Sequence, residues 1–254
     1  MVYYIILFLD NFMDYKDFIQ LQNQQNLHFW YKARKNLIFN LLNFEFKNCE
    51  QNKLILNIGC GTGTELEILK KFGQVIGLDN NLDAIKLIQK QNYKIITADI
   101  EKYNLQNNYY DAICCFDVLE HLRNDQTTLK NIFKSLKKDG FFFFTIPAYQ
   151  CLFGPHDIYM SHYRRYSKKN ILQKLEKAGF QIIKLNYWNS ILFPIIFIIR
   201  IIKKYIKKET ESETKILNKN LNELLFRILN FENKFIYWNV QILFGLTVYG
   251  IAKK

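Results

Sequence analysis

Only 3 Pro and 10 Gly interrupt a 254-residue sequence that is 49% hydrophobic and 16% aromatic. So few backbone breakers among so many apolar groups exclude a disordered or low-complexity chain. The Asn, Lys, Ile and Phe bias reads as genome composition, and no function is drawn from it. Cysteine is also sparse: Cys49, Cys60, Cys114, Cys115 and Cys151 form no C-x-x-C pair and leave an odd one over. That pattern points away from a disulfide framework or zinc site and towards a reducing compartment. A bilayer-spanning run of about 20 apolar residues is missing. The start, MVYYIILFLD, has no basic n-region and meets Asp10 at once, so it is expected to pack as a terminal segment and not to act as a signal peptide.

What is present fits one α/β domain with appendages. The net charge of +12 is uneven: residues 151–254 hold eighteen basic and seven acidic groups, while the preceding 150 are nearly balanced. An anionic partner, substrate or membrane surface would be met by that C-terminal part, unless the charges form only a solvated face. Between residues 53 and 144, short apolar runs alternate with helix-compatible stretches, the pattern of a parallel sheet with crossover helices. Strands are predicted at 54–58, 75–78, 94–97, 112–116 and 141–146, and helices at 65–71, 82–90 and 127–136. A turn is predicted at 138–140, a sixth strand at 181–186 and a last strand at 245–253. Residues 188–244 carry helical spacing and no strand pattern, which predicts a helical insertion in the final hairpin.

The stretch LILNIGCGTGTELEIL runs from a strand into Gly59, Gly61 and Gly63 and then a helix. Glycines let a backbone approach a ligand, and a helix N-terminus offers free N–H groups. The next strand ends in Asp79, where a carboxylate can accept both hydroxyls of a ribose. A pyrophosphate loop wants GxGxxG, but Thr64 occupies its third glycine position, so a ligand without phosphates fits better. Asp99 in ITADI is placed to accept from an adenine amino group, with Ile100 beside the ring. The segment FDVLEHL puts residues 117–121 at the sulfonium end of such a ligand. Each residue singly could be a strand-terminal cap, but four such sites follow consecutive strands on the edge where open α/β sheets bind ligands.

The order GCGTG, LDNN, ADI, FDVLEHL, LKKDGFFFFTIPA resembles the class I S-adenosylmethionine-dependent methyltransferases. The likeness extends to a subgroup with HFWY-x-x-R (His28 to Arg34), PA-x-x-x-L-x-x-x-HD (Pro147 to Asp157), H-x-RRY (His162 to Tyr166) and LFG-x-x-x-x-x-x-x-K (Leu243 to Lys253). It covers almost everything after residue 25. Two departures are Asn57 where relatives usually have Asp, and KKDG where they have KPGG; Gly140 keeps the one position that most needs a glycine.

The resemblance implies a Rossmann-like seven-stranded, mostly parallel sheet whose last strand is antiparallel, with a helical insertion before it. It implies an N-terminal helical segment at 1–52, a cofactor-binding domain at 53–187 plus 245–254, and an insertion or lid at 188–244. S-adenosylmethionine is the implied cofactor, touched by Gly59, Cys60, Gly61, Thr62, Gly63, Asp79, Asn80, Asp99, Ile100, Phe116 and Asp117. All four histidines of the chain, His28, His121, His156 and His162, lie in the shared motifs. His156 and His162, ahead of His121, are the candidate general bases for an acceptor hydroxyl. Asp157, Arg164, Arg165 and Tyr166 are candidate acceptor-binding groups, since guanidinium forks match oxyanions; structural salt bridges and loop contacts are the rival account. Residues 191–208, apolar for nine residues before Arg200 and ending in four lysines, suit either an anionic membrane interface or a packed lid.

The expected activity is methyl transfer to a small-molecule or lipid-linked acceptor, oxygen being favoured over nitrogen or carbon. The expected location is cytoplasmic with peripheral membrane contact, and no metal is expected. RNA methylation is the second reading, weakened because no Asn/Asp-Pro-Pro-aromatic motif follows the fourth strand, so nucleic acid is not the expected partner. An inactive membrane-associated scaffold of the same fold is the third. Acceptor, methylated atom and oligomeric state are not legible in the sequence.

Overall fold

The structure, a computed structural model, describes residues 15–47, 52–89, 91–205, 217–238 and 240–254. The segment MVYYIILFLD, Cys49, Lys207 and Lys208 lie outside the described residues. Seven strands form one sheet: β1 (Lys53–Ile58), β2 (Gly73–Asp79), β3 (Lys94–Thr97), β4 (Tyr110–Phe116), β5 (Leu136–Pro147), β6 (Gln181–Trp188) and β7 (Thr247–Lys253). Their order is β3-β2-β1-β4-β5-β7-β6. Strands β1 to β5 pair parallel, while β7 is antiparallel to both neighbours.

The helices are α1 (Tyr15–Leu27), α2 (Phe29–Phe46), α3 (Thr64–Leu69), α4 (Leu82–Gln89), α5 (Asp125–Ser135), α6 (Pro155–Tyr159), α7 (Lys168–Ala178), α8 (Phe193–Tyr205) and α9 (Lys219–Glu232). Side chains alternate across a strand, so an unbroken apolar run supplies both faces of a sheet. Ile113 and Cys115 of β4 join Phe142 and Phe144 of β5 in one buried cluster with α5 and α7 residues. Cys114, Phe116 and Phe143 join the opposite cluster with Leu37, Leu41 and Leu42 of α2 and Leu229 of α9. The insertion thus shares a core with α2. Asparagines fasten the two: Asn222 accepts from Phe29 N and donates to Leu27 O, and Asn233 donates to Ala33 O.

One local expectation is corrected. The predicted turn at 138–140 is a bulge inside β5, where pairing jumps from Tyr110 opposite Leu136 to Ala112 opposite Phe141. Asp139 takes up the extra length at φ +64°, a left-handed conformation that Asp tolerates better than most residues. At Gly250 a Cβ would lie 2.4 Å from the Phe144 ring, so this glycine lets β7 cover an aromatic of its neighbour without displacing it.

Candidate functional site

The C-terminal ends of β1, β2 and β4 and the segment after β3 meet at one edge of the sheet. Gly59, Gly61 and Gly63 have φ of +68°, +48° and +82°, which L side chains rarely adopt. Gly59 is also crowded, since a Cβ there would come within 2.4 Å of Val118. The glycine loop therefore packs directly on the residue after Asp117. A Cβ on Gly61 would meet nothing within 4 Å, so its backbone borders open space. Asp79 braces this loop: it accepts from Gly61 N at 2.7 Å and from Asn81 N at 2.9 Å. Carboxylate oxygens have about four lone-pair sites, so acceptor capacity remains for a ligand.

The other expected cofactor residues divide into four groups. Asp99, half-buried, accepts from Glu101 N at 3.0 Å, and Ile100 is buried behind it. Cys60 and Thr62 are buried; the Cys60 side chain packs with Leu66 and Ile88, leaving only its backbone for the loop's ligand. Asn80 is exposed. Phe116 is buried in the sheet core, and Asp117, at φ +56°, is held by Arg34 Nε at 2.7 Å and Thr145 Oγ1 at 3.1 Å. Asn57, which replaces the usual Asp, is 1% exposed, and its Nδ2 has no hydrogen-bond partner among the described residues.

Sequence reasoning missed the N-terminal helices as walls of this edge. Gln25 of α1 accepts from Thr62 Oγ1 at 2.5 Å and from Thr64 Oγ1 at 3.2 Å. Arg34 of α2, the last residue of HFWY-x-x-R, reaches Asp117, Glu65 Oε1 at 2.5 Å and the Phe116 carbonyl at 3.2 Å. Burial alone would lower its pKa, but Asp117 and Glu65 outweigh that and hold it above the usual arginine range. The spacing of that motif was the available signal. Tyr31 lies beside these charges, its phenol pushed up to about 12, chiefly by burial. His28 caps α2, its Nδ1 accepting from Trp30 N at 3.3 Å.

Arg34→Ala should therefore leave two carboxylates without their cation, one of them largely buried. Breaking a buried pair by removing one partner costs about 3 kcal/mol or more. At about 2–4 °C per kcal/mol for a chain near this size, Tm should fall by about 6–12 °C. A calorimetric scan with no shift would show that the three charges are independent.

Beyond Asp117 this edge is built by a short 3₁₀ turn, Leu119–His121, and by the segment after β5. Tyr163 N donates to Glu120 O at 2.8 Å, and the Tyr166 hydroxyl oxygen lies 3.0 Å from Leu119 O, laying that segment on the turn. Asp157, fully buried, accepts from His162 Nδ1 at 2.9 Å, Arg165 Nε at 2.8 Å and Gly154 N at 3.0 Å. Burial raises its pKa, but these donors outweigh that and hold the carboxyl well below its usual range. A carboxylate only accepts, so Nδ1 of His162 carries the proton and Nε2 bears the free lone pair.

His162 packs edge-to-face on His121 with ring centroids 4.6 Å apart. Burial and then the neighbouring imidazole depress His121 to about 4. Glu120, 1% exposed, is pushed well up by burial and by Asp117. Arg164 pairs with Asp125 at 3.3 Å and Tyr166 OH donates to Asp125 at 2.7 Å. Asp157, Arg165 and Tyr166 are thus engaged within the segment and its seat. His156 sits in α6, one residue from Asp157, but the Asp157 bond goes to His162. Tyr149, at φ +61°, stacks on Tyr187 at 5.4 Å and touches Phe193 of α8 at 5.4 Å. A bulky residue held left-handed is strained, and such strain gathers at functional sites.

A glycine loop braced by the carboxylate that ends β2, a 3-2-1-4-5-7-6 sheet with one reversed strand and a matching family model make this a class I S-adenosylmethionine-dependent methyltransferase, with S-adenosylmethionine as its cofactor. Residues 29–185 match the family model described as a methyltransferase domain, and the chain belongs to that family. It is 31% identical over 110 residues to a ubiquinone biosynthesis O-methyltransferase of Hydrogenovibrio crunogenus, covering 40% of this chain and 45% of that one. It is 30% identical over 126 residues to N-methyltransferase 4 of Papaver somniferum, covering 45% and 35%. The matches therefore span less than half the length of these curated relatives. A solved SAM-dependent methyltransferase of Archaeoglobus fulgidus superposes with a TM-score of 0.55 at 20% identity, covering 87% of this chain and 94% of that one.

Proposed function

We propose that this enzyme methylates a hydroxyl of a small or lipid-linked acceptor, and that His121 and His162, beside Glu120 and with His162 steered by Asp157, remove the hydroxyl proton. The observation that carries this reading is the gathering of those three groups, ligand atoms within 4.8 Å of one another, beside the glycine loop that Val118 touches. Bound there, S-adenosylmethionine supplies an electrophilic methyl on a sulfonium. The residues present suit it: Gly61 leaves room, Asp79 keeps acceptor capacity for ribose hydroxyls, Asp99 lies after β3 for an adenine amino group, and Asn57 holds an unpartnered amide N–H nearby in β1. A neutral amine needs no base to become a nucleophile, whereas a hydroxyl does, so a cluster of proton acceptors favours oxygen. Exposure of extracts to the enzyme with isotope-labelled methyl donor, followed by lipid and metabolite profiling, tests this; label found only on nitrogen would overturn it.

A lipid-linked acceptor is supported by the outer face of α8. Phe193 turns in towards Tyr149, while Ile195, Ile198, Ile199 and Ile202, at helical spacing, are exposed by 45–63%. An apolar face of that kind beside an acceptor site suits a membrane interface. No helix among the described residues is long and apolar enough to cross a membrane. Lys203 and Lys204 close α8 in the sequence, with Lys207 and Lys208 just beyond it.

The protein should co-sediment with anionic vesicles and be released by salt, because charge is screened over about 8 Å at physiological ionic strength. Replacing the four lysines by Gln should weaken that binding. Retention on no vesicle at all would instead make α8 a packed lid.

A further inference from the structure

The cluster at the start of the acceptor site has the composition of a metal centre. Glu120, His121 and His162 offer two imidazole nitrogens and a carboxylate, all within 4.8 Å of one another. Glu120 is 1% exposed, yet apart from its own backbone N–H neither carboxylate oxygen has a hydrogen-bond partner among the described residues. A carboxyl buried without a cation beside it stays neutral, and a bound metal ion is what would let it ionise there. The nearby cations form ion pairs with other carboxylates, Arg165 with Asp157 and Arg34 with Asp117 and Glu65, while still acting on Glu120 through space.

One of the imidazoles, that of His162, is braced as metal-ligating histidines are, with a ring nitrogen on an oxygen acceptor. For His162 that acceptor is Asp157 Oδ1, at 2.9 Å from Nδ1. Ser161 takes φ +56°, which ties the corner between α6 and His162 into an unusual conformation. An ion about 2.1 Å from each ligand asks those atoms to stand about 3–4 Å apart, so closure needs only rotamer adjustments.

We propose that Glu120, His121 and His162 hold one divalent transition-metal cation. Two imidazoles with one carboxylate suit zinc, iron or manganese better than magnesium or calcium, which prefer oxygen ligands. Three protein ligands leave a position open for the acceptor oxygen. This inference rests on the proposed hydroxyl acceptor and replaces direct proton transfer to the cluster: the oxygen binds the cation, its O–H bond breaks and the proton leaves to solvent water, while the oxygen keeps the electron pair for the methyl.

Binding is read without turnover. The full chain, stripped with chelator and desalted, is titrated with Co²⁺ and followed by visible d–d absorption and calorimetry. One Co²⁺ per chain is expected, displaced by Zn²⁺ and not by equimolar Mg²⁺. Glu120→Gln, nearly isosteric, and His162→Ala should each weaken the affinity by about 10-fold or more, with S-adenosylmethionine binding and thermal melts reporting intact folding. Asp157→Asn, which touches no ion, should weaken it by about 10-fold through His162. Absence of stoichiometric Co²⁺ binding, or binding unchanged in both Glu120→Gln and His162→Ala, would overturn the proposal. Turnover that depends on His162 in a protein binding no Co²⁺ would sink the cation and leave the proton-accepting cluster standing. Full turnover in a His162→Ala protein that has lost its Co²⁺ would uphold the site and sink its role in the reaction.

Discussion

Asp79→Ala is expected to weaken S-adenosylmethionine binding by about 10²-fold, measured by calorimetry on the purified protein. Two losses combine. A carboxylate accepting from ribose hydroxyls contributes about 1.5–3 kcal/mol per hydrogen bond to a charged group, and 2.7 kcal/mol corresponds to about 10²-fold in affinity. The second loss is internal, because Asp79 also accepts from Gly61 N and Asn81 N and so fixes the glycine loop against the end of β2. Asp79→Asn keeps one acceptor oxygen and should lose less than Asp79→Ala. Equal affinity in wild type and Asp79→Ala would remove Asp79 from the cofactor contacts, whereas a nicotinamide dinucleotide bound more tightly than S-adenosylmethionine would contradict the cofactor itself.

Much of that edge was legible because it is local in sequence. GCGTG needs positive φ at three glycines, and all three have it. The strands from β1 to β7 lie within a few residues of their expected positions, since two-sided burial writes unbroken apolar runs such as FFFF. The bulge in β5 was not legible: Lys138-Asp139-Gly140 has turn composition, and only pairing with β4 makes it strand. Nor was Arg34 assigned a role, because its partners Glu65 and Asp117 are 31 and 83 residues away. Likewise, Gln25 gave no signal before α1 was seen against Thr62. On the acceptor side the sequence could gather histidines, but not distinguish them. His156 and His162 flank the same short segment, and it takes the 2.9 Å bond to Asp157 to single out His162.

That bond leads to the second large effect. His162→Ala is expected to lower kcat for methyl transfer by about 10²-fold or more, the scale of positioned proton removal, while S-adenosylmethionine affinity stays near that of the wild type. The split follows from geometry. His162 meets His121 and Glu120, not the glycine loop or Asp79, so its loss should act on the acceptor hydroxyl and not on the cofactor.

His156→Ala is the comparison, a histidine of the same segment that does not hold the Asp157 bond, and should cost less. Arg164→Ala should act differently again, since its pairing with Asp125 seats the segment on the start of α5. Its effect should appear mainly in the acceptor's KM, as loss of positioning does. The measurement is initial rate against acceptor concentration at saturating S-adenosylmethionine, using the acceptor found by labelled-methyl profiling. A thermal melt of each variant is needed alongside, because Asp157 without His162 loses one of the donors that offset its burial. If His162→Ala turns over at the wild-type rate and melts at the wild-type temperature, the imidazole is neither base nor ligand. If it unfolds while His156→Ala and Arg164→Ala remain folded, the dyad with Asp157 is structural. A folded His162→Ala protein with intact cofactor binding and about a hundredth of the turnover is the result that assigns proton removal to the cluster.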